Sequence, residues 1–448
     1  MPSGPTPVVV GSNPILAAIV AIILYVLGKL VIRRVVEAEG GDEWLRKVLT
    51  ACLILHLVAA PTQIWIVDHL YNGIADFNRY DTQGAVLAEG FRHFNFGIPP
   101  GVVGGIVSNG AVSIVAGVVF TIVGTNQAAA FLVLSWLSFI GIVFFYRAFL
   151  VTFNGKGNRR YGYLVFFMPS LILWTSDVSK EAMMTFLLGM AAYGCARILA
   201  GQASIGCWLL VVAASVGGSF IRPNAMLLEI GGFTVAMLFR PMGSNTRFQP
   251  GRRTSSMVFL AIMVGVGVFV TLQFMPGLHG SVDLQSLSKG NTGTGAGFGS
   301  SGVGYSSSPL AYPKDVYTVL LDPLPFQAHS GGQLIEAAQN TVLLIVILKS
   351  LRSLRLLPRA SLARPYLIMC TLYVVAFFYY FAALGNLGLI TREATMNLPF
   401  VLVLLSIPRA PRGHPPRYVW ELSRRERAAR RKAALARNIA PGGRAGGS

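Results

Sequence analysis

The chain has 448 residues, of which 53% are apolar and only 12% are charged, and its formal net charge is +19. Several apolar runs are long enough to cross the roughly 30 Å hydrocarbon core of a bilayer at about 1.5 Å per residue, which excludes an ordinary soluble domain. The basic residues lie in short loops and a C-terminal tail between these runs, a pattern typical of membrane-surface loops that argues against nucleic-acid binding.

The apolar runs predict an all-α, polytopic integral membrane protein with about 11 transmembrane helices. In chain order the predicted spans are 13–32, 48–67, 127–150, 161–176, 181–200, 205–220, 223–239, 256–275, 334–350, 365–384 and 395–408. The run 102–123 is interrupted by Gly and by Ser-Asn-Gly, so it predicts either a further span or a re-entrant or interfacial segment.

The distribution of charge favours a non-crossing segment at 102–123. Without a crossing there, 30 of the 37 basic residues fall on one side of the membrane, which is then the cytoplasmic side. This topology places the N-terminus outside and the C-terminus inside. The first 12 residues carry no Lys or Arg, so the first run is expected to be retained as a span and not cleaved as a signal peptide.

Three parts of the chain are expected. Residues 1–47 hold an extra N-terminal span and a cytoplasmic loop, residues 48–408 form the membrane domain, and residues 409–448 form a basic cytoplasmic tail. The membrane domain has two large outer loops, 68–101 and the Gly/Ser-rich 276–333.

Polar residues of interest fall on the outer side. In the loop 68–101, a helix would place Asp76, Arg79, Tyr80 and Gln83 on one face by i, i+3, i+4 and i+7 spacing, with Asp81 pointing elsewhere. A solvated amphipathic loop helix explains the same composition without chemistry.

Further along the chain, the outer bend "WTSDVSKEAMM" carries Asp177, Lys180 and Glu181. Lys180 and Glu181 also suit the start of a helix with Ser176 or Asp177 as its N-cap.

The order of these features resembles the GT-C superfold of membrane glycosyltransferases. The resemblance covers roughly residues 48–408: Asp76 and Tyr80 stand in an Asp-x-x-x-Tyr setting in the first outer loop, and "MPSLILWTSDVSKEA" is a Pro-containing span that leads to an acidic outer bend. The stretches "DPLPFQAHSGGQLIEAAQN" and "NLGLITREATMNLPFVLVLL" are similar to segments of uncharacterised exopolysaccharide-type membrane proteins. The span 13–32 lies upstream of the first helix of that class.

The resemblance implies transfer of a sugar from a polyprenyl-phosphate-linked donor to a glycan, lipid or protein acceptor. The reaction would take place on the outer face of a bacterial plasma membrane, in cell-envelope or exopolysaccharide assembly. Glycosyl transfer passes through a transition state with oxocarbenium character, so a carboxylate can take the acceptor proton while cations hold the departing phosphate. Asp76 is the expected catalytic base.

Five further residues are expected to bind substrate: Tyr80, Asp177, Lys180, Arg222 and Arg392. Membrane lipids are the other expected partner.

Other interpretations remain open at this point. Arg222 and Arg392 also suit interfacial anchoring to lipid phosphate. Glu229 lies inside an apolar run and is a functional candidate or one half of a structural ion pair, with Arg222 or a neighbouring helix as its expected partner. A polytopic transporter, a flippase for lipid-linked glycans, or a polysaccharide polymerase or ligase fits the same topology.

No cofactor or metal site is predicted with certainty. The four cysteines lie in apolar runs without a CxxC pair, and the histidines are dispersed. A divalent cation on Asp76 and neighbouring carboxylates is compatible with the superfold, but no spacing requires one.

Overall fold

The computed structural model describes residues 10–11, 13–70, 73, 75–99, 106–155, 158–239, 312–328, 331–381 and 387–408. These residues form helices and connecting turns; across the same ranges the only β-type pairing is an isolated bridge between Gly11 and Asn126. The all-α class is therefore confirmed for the described part of the chain. The predicted span 256–275, most of the loop 276–333 and the tail 409–448 lie outside it.

Fifteen α-helices are described. They are α1 (Pro14–Ala38), α2 (Glu43–Leu70), α3 (Asp76–Arg92), α4 (Asn109–Val123), α5 (Gln127–Phe153), α6 (Asn158–Phe167), α7 (Pro169–Leu173), α8 (Lys180–Leu199), α9 (Ile205–Ile221), α10 (Pro223–Leu238), α11 (Tyr312–Leu321), α12 (Gly331–Leu354), α13 (Leu357–Ala363), α14 (Pro365–Phe381) and α15 (Leu387–Leu405), with a 3₁₀ turn at Pro325–Gln327.

Five of the described helices are long and apolar enough to cross a membrane. They are Pro14–Ala38, Glu43–His69, Gln127–Phe153, Lys180–Leu199 and Glu336–Leu354. Four shorter apolar helices also occur, at Asn109–Val123, Ile205–Ile221, Pro223–Leu238 and Pro365–Tyr380. The structure is thus compatible with a membrane protein, and the count of 11 spans stays a prediction.

The predicted span 161–176 is wrong as a single helix. The chain forms α6 and then α7, with Met168 in an extended conformation between them. Pro169 explains the break, because its ring lacks an N–H group and pushes the preceding residue out of the helical region, while it fits the first position of a new helix. Two boundaries also move: α2 begins at Glu43, inside the predicted segment 1–47, and α15 begins at Leu387, well before the predicted span 395–408.

The interrupted segment 102–123 contributes the 15-residue helix α4, which packs along α3. Close approach is possible because small residues face each other: a Cβ on Gly84 would lie 2.7 Å from the Cβ of Ala116, and a Cβ on Gly117 would lie 2.8 Å from the Cβ of Leu87. Only a residue without a side chain fits at such a distance. The α3–α4 pair therefore forms a compact unit beside the long helices.

The core centres on α5, which packs against α8, α2 and α1. Gly141 of α5 faces Gly189 of α8, and a Cβ on either residue would collide with the backbone of the other helix. Aromatic side chains fill the neighbouring layer, for example Phe145 against Phe400 of α15 with ring centroids 5.2 Å apart. This packing places the first turn of α8 and the second turn of α15 at the same end of the bundle as the start of α3.

The predicted cytoplasmic loops meet at the opposite end. Trp44 Nε1 at the start of α2 donates to the Tyr163 hydroxyl of α6 at 2.7 Å, and Arg160 Nη2 donates to Ser350 Oγ of α12 at 2.6 Å. We call this the basic end, and the end with Asp76 and the start of α8 the site end. Which end faces the cytoplasm stays a prediction.

Candidate functional site

Charged residues from four separate parts of the chain converge at the site end. They come from the first residue of α3, the bend and first turn of α8, the α9–α10 junction and the second turn of α15. We call this set the charge cluster; its members are Asp76, Asp177, Lys180, Glu181, Arg222, Arg392 and Glu393.

Glu181 is the central carboxylate of the charge cluster. Its Oε1 accepts a hydrogen bond from Arg222 Nη2 at 3.0 Å, and its Oε2 accepts one from Arg392 Nη2 at 3.4 Å. The Glu181 side chain is only 1% exposed. Arg222 also forms an ion pair with Glu393, which is likewise buried. The two acids therefore hold both guanidinium groups in place.

Asp76 forms the accessible side of the charge cluster. Arg392 Nη1 donates to Asp76 Oδ2 at 2.9 Å, and the exposed fraction of the side chain rises from 16% for Arg222 through 26% for Arg392 to 59% for Asp76. Asp76 is also the first residue of α3, where a carboxylate is favoured by the helix dipole. The charge cluster thus has a buried floor, formed by Glu181 and Glu393, and an open rim at Asp76.

Lys180 adds a third cation. Its ammonium donates to Ser108 Oγ at 2.9 Å, and Arg222, Glu181, Glu393 and Asp76 all lie near enough to influence it electrostatically.

The helix cap predicted next to Lys180 is wrong. Ser179, and neither Ser176 nor Asp177, caps α8, because Ser179 Oγ accepts from Ala182 N at 3.3 Å. The Ser176 hydroxyl instead contacts Ser135 Oγ at 2.9 Å.

Two aspartates are buried at the site end: Asp177 belongs to the charge cluster, and Asp81 lies near Asp177 outside the cluster. Burial raises the pKa of Asp177 to about 7, against the opposing influence of the nearby Arg392 guanidinium. Burial also raises the pKa of Asp81 to about 7, although Gln127 Nε2 donates to its Oδ2 at 2.8 Å. The Arg392 guanidinium interacts with both Asp76 and Asp177, so one cation links these two acids.

The residues predicted to share one face of α3 have different surroundings in the structure. Tyr80 is buried and its hydroxyl donates to Asn109 Oδ1 of α4 at 2.9 Å, while Arg79 lies over the Tyr80 ring at 5.6 Å. Asp81, expected to point away, turns into the protein towards Gln127. Tyr80 thus joins α3 to α4, and a contact between Tyr80 and substrate stays a prediction.

Sequence reasoning missed Glu393 and the central position of Glu181. The available signal was the adjacent Arg392-Glu393 pair in an otherwise apolar stretch, since ionisable residues inside apolar helices mark functional or paired positions. The expected start of the last span at 395 hid this signal, because Glu393 then falls in a loop.

Arg222, one of the two partners expected for Glu229, pairs instead with Glu181 and Glu393. Glu229 lies in α10 with 1% exposure, and among the described residues neither of its carboxylate oxygens has a hydrogen-bond partner. Glu229 lines a small cavity of about 10 Å³ together with Cys195 and Ser215. Glu229 is therefore separate from the charge cluster.

A larger cavity of about 50 Å³ lies next to the charge cluster, among α2, α7, α11, α12 and α15. Its polar lining includes Gln63, Ser170 and Asn340, with the Trp174 ring and Ala394 completing the wall. Ala394 follows Glu393 directly, so this cavity adjoins the floor of the cluster.

Within the described residues no set of three or more His, Cys, Asp or Glu side chains is arranged to hold a metal ion. The divalent cation considered from the sequence therefore has no described set of ligands.

Comparisons of the chain with protein families, with curated proteins and with solved structures gave no match.

Proposed function

We propose that the chain is an integral membrane, GT-C-like glycosyltransferase that moves a sugar from a polyprenyl-phosphate-linked donor to an acceptor hydroxyl. The observation that carries the proposal is the charge cluster: three cations lie at the ends of apolar helices beside an exposed carboxylate. The acceptor would be a glycan, a lipid or a protein at the outer face of the plasma membrane, in envelope or exopolysaccharide assembly.

The three cations suit a lipid phosphate. Arginine guanidinium groups bind phosphate oxygens with two parallel N–H donors, and a lysine ammonium adds a compact positive charge. Arg392 and Lys180 are partly accessible, whereas Arg222 lies deeper and supports them. A lipid tail can remain between the apolar helices while its phosphate reaches these side chains.

Asp76 is the proposed base, since it is the most exposed carboxylate among the ion-paired members of the charge cluster. As the acceptor oxygen bonds to the anomeric carbon, its proton passes to Asp76 and the bond between that carbon and the phosphate oxygen breaks. The electron pair of the broken bond stays on the phosphate, next to Arg392 and Lys180. Glu181 and Glu393 act as positioning residues because they orient the arginines.

A purely structural ion network is the competing explanation. Buried ion pairs contribute little net stability compared with apolar residues of similar volume, because both partners lose their hydration. The graded exposure from Glu181 to Asp76 favours a binding role over a structural one, since a network built only for packing needs no open rim.

The first test measures binding of polyprenyl phosphate to the protein in detergent by native mass spectrometry. We expect Arg392→Gln and Lys180→Gln each to weaken binding about tenfold, the usual effect of losing one charge-assisted contact. Arg92→Gln is the matched control, because Arg92 lies on α3 and donates to Phe120 O, away from the charge cluster. Equal binding in all variants would contradict a phosphate site.

The second test separates chemistry from binding. With a sugar-charged polyprenyl phosphate as donor, we expect Asp76→Asn to abolish transfer while it keeps lipid binding and folding, because the amide preserves the shape but cannot take a proton. Full transfer by Asp76→Asn would remove Asp76 from the mechanism.

A transporter or flippase is the second candidate, and Glu229 is the observation that favours it. A buried carboxylate without a described hydrogen-bond partner is a common feature of substrate or ion pathways, and the break between α6 and α7 resembles a discontinuous helix. Transport of a labelled lipid-linked sugar in vesicles that is lost in Glu229→Gln but retained in Asp76→Asn would favour this candidate. A polymerase or ligase would share the phosphate site and differ in its acceptor.

A further inference from the structure

Glu229 is a buried carboxyl group that the proposed glycosyl transfer does not use. It lies on α10, and among the described residues neither of its carboxyl oxygens has a hydrogen-bond partner. Ser215 of α9 lines the same small cavity, and its buried hydroxyl also has no described partner. Buried polar groups are nearly always hydrogen-bonded in native proteins, so each exception needs an explanation. Two exceptions at one cavity indicate that the cavity holds a ligand.

No cation compensates a negative charge on Glu229 within the described part of the chain. The groups near it come from α8, α9 and α14 and are Cys195, Ser215, Tyr366, Cys370 and Tyr373. Thiol and phenol groups are ordinarily uncharged at neutral pH. Arg222, two helical turns earlier, pairs with Glu181 and Glu393. An ionised Glu229 would therefore be an isolated buried charge, which proteins avoid by protonation or by binding a cation.

The cavity beside Glu229 has the size of one water molecule. Its volume is about 10 Å³, and a buried water needs roughly 10–15 Å³ and two to four polar partners. The carboxyl group of Glu229 and the hydroxyl of Ser215 supply such partners. A metal cation needs more oxygen atoms, roughly six to eight for Ca²⁺, whereas the described polar side chains that line the cavity are Cys195, Ser215 and Glu229. A protonated carboxyl group with one water therefore suits the cavity better than a metal ion.

Tyr373 connects Glu229 with the charge cluster. Two tyrosines of α14 interact electrostatically with Glu229, and of these only Tyr373 also interacts with Glu393 and Arg222. The Tyr373 side chain is buried, and its ring lies against Phe400 of α15 with centroids 4.3 Å apart. Its hydroxyl and Glu393 Oε2 both lack a hydrogen-bond partner among the described residues. Because a hydroxyl can donate and accept at the same time, it can pass a proton between two carboxyl groups.

We propose that Glu229 is an internal proton-binding site, which shares one water molecule with Ser215 and exchanges its proton with the charge cluster through Tyr373. During uptake, Tyr373 gives its hydroxyl proton to the carboxylate of Glu229 and takes another from Glu393, which regains a proton from solvent at the open rim. Tyr373 is unchanged at the end, and one proton has moved from the site end to Glu229. The inference holds whichever substrate the charge cluster binds.

The first experiment is infrared spectroscopy of the full chain in lipid nanodiscs without substrate. A protonated carboxyl group has a C=O stretching band that is separate from the bands of a carboxylate. We expect this band at neutral pH in the difference spectrum of wild type minus Glu229→Gln. Glu89→Gln is the matched control, because Glu89 is exposed and pairs with Arg92, so its difference spectrum should lack the band. Ser215→Ala should shift the Glu229 band, because the shared water loses a partner.

The second experiment measures how fast the Glu229 proton exchanges with solvent. On transfer to D₂O the band shifts as deuterium replaces the proton. We expect this exchange to be about tenfold slower in Tyr373→Phe, because the phenyl ring keeps its shape but cannot carry a proton. Tyr366→Phe is the matched control, since Tyr366 is a buried tyrosine of α14 near Glu229 with no described interaction with Glu393 or Arg222. Its exchange rate should equal that of wild type.

Three results would overturn the proposal. Absence of the band from the difference spectrum of wild type minus Glu229→Gln would show that Glu229 is ionised, and an unfolding temperature that rises with sodium concentration in wild type alone would then identify a cation site. Equal exchange rates in wild type and Tyr373→Phe, or equal slowing in Tyr366→Phe, would exclude the path through Tyr373. An unshifted band in Ser215→Ala would exclude the shared water.

Discussion

Glu181 is the residue on which the charge cluster depends, because it contacts two arginines from different helices. Removal of one partner from a buried ion pair leaves the other charge without compensation, at a cost of about 3–5 kcal/mol. When Glu181 is replaced, Arg222 still pairs with Glu393 and Arg392 still pairs with Asp76. The loss of unfolding free energy is therefore expected at the lower end of that range.

We therefore expect Glu181→Gln to lower the unfolding temperature of the purified protein, measured by thermal scanning fluorescence. Glu89→Gln is the control, since Glu89 lies 3.8 Å from Arg92 on the exposed surface, where an ion pair contributes 0–1 kcal/mol. Equal stability of the two variants would show that the Glu181 network does not stabilise the fold.

Asp81 makes the stability depend on pH. Its pKa is about 7 in the folded protein and close to 3.8 when unfolded, so between these values the folded state holds a proton that the unfolded state has lost. The stability from this group is fully present below about pH 4, falls as the pH rises, and is lost above about pH 7. Asp177 contributes in the same direction.

Replacement of Asp81 by Asn removes this titration. We expect the unfolding temperature of Asp81→Asn to fall less steeply than that of wild type between pH 4 and pH 8, and to exceed it by a few degrees at pH 8. Parallel curves for the two proteins would mean that Asp81 does not carry a raised pKa.

At the level of helices, the contact between α5 and α8 depends on two glycines. Gly141 and Gly189 allow the backbones to touch, and a methyl group on Gly189 would overlap the Gly141 carbonyl. Backbone on both sides cannot give way as a flexible side chain can. Since α8 carries Lys180 and Glu181 in its first turn, displacement of α8 would also disturb the charge cluster.

Gly189→Ala is therefore expected to destabilise the protein by about 1–3 kcal/mol, the usual cost of overpacking. The control is Gly231→Ala in α10, where an added Cβ meets nothing within 4 Å and where alanine is expected to stabilise slightly. Thermal unfolding in the same detergent measures both effects. Tolerance of Gly189→Ala without loss would contradict direct contact of the two helices.

For the whole molecule, the two ends of the bundle are expected on opposite sides of the membrane. All four native cysteines are buried, so an introduced cysteine can be labelled with little background. We expect Glu89→Cys, on the exposed side of α3, to react with an impermeant maleimide in intact cells, and Lys47→Cys to react only after permeabilisation. Reaction of Lys47→Cys alone in intact cells would reverse the topology.

The sequence by itself determined the helical class and most helix positions in the described part of the chain, because the length and composition of apolar runs are local properties. The same runs predict a membrane protein, and five described helices are long and apolar enough to cross a bilayer. The sequence also indicated Asp76, Asp177, Lys180, Arg222 and Arg392 as candidate functional residues, since charges at the ends of apolar runs can be recognised from the sequence. Only the tertiary structure decided which of these charges meet.

Asp76 and Arg392 are 316 positions apart, and Glu181 and Arg222 are 41 apart. Their pairing depends on which helix packs on which, and small residues such as Gly141 and Gly189 set that packing through contacts that no local pattern encodes. The same reason explains why Arg222, one of the two partners expected for Glu229, pairs elsewhere: the acids Glu181 of α8 and Glu393 of α15 contact the arginine once the helices are packed together.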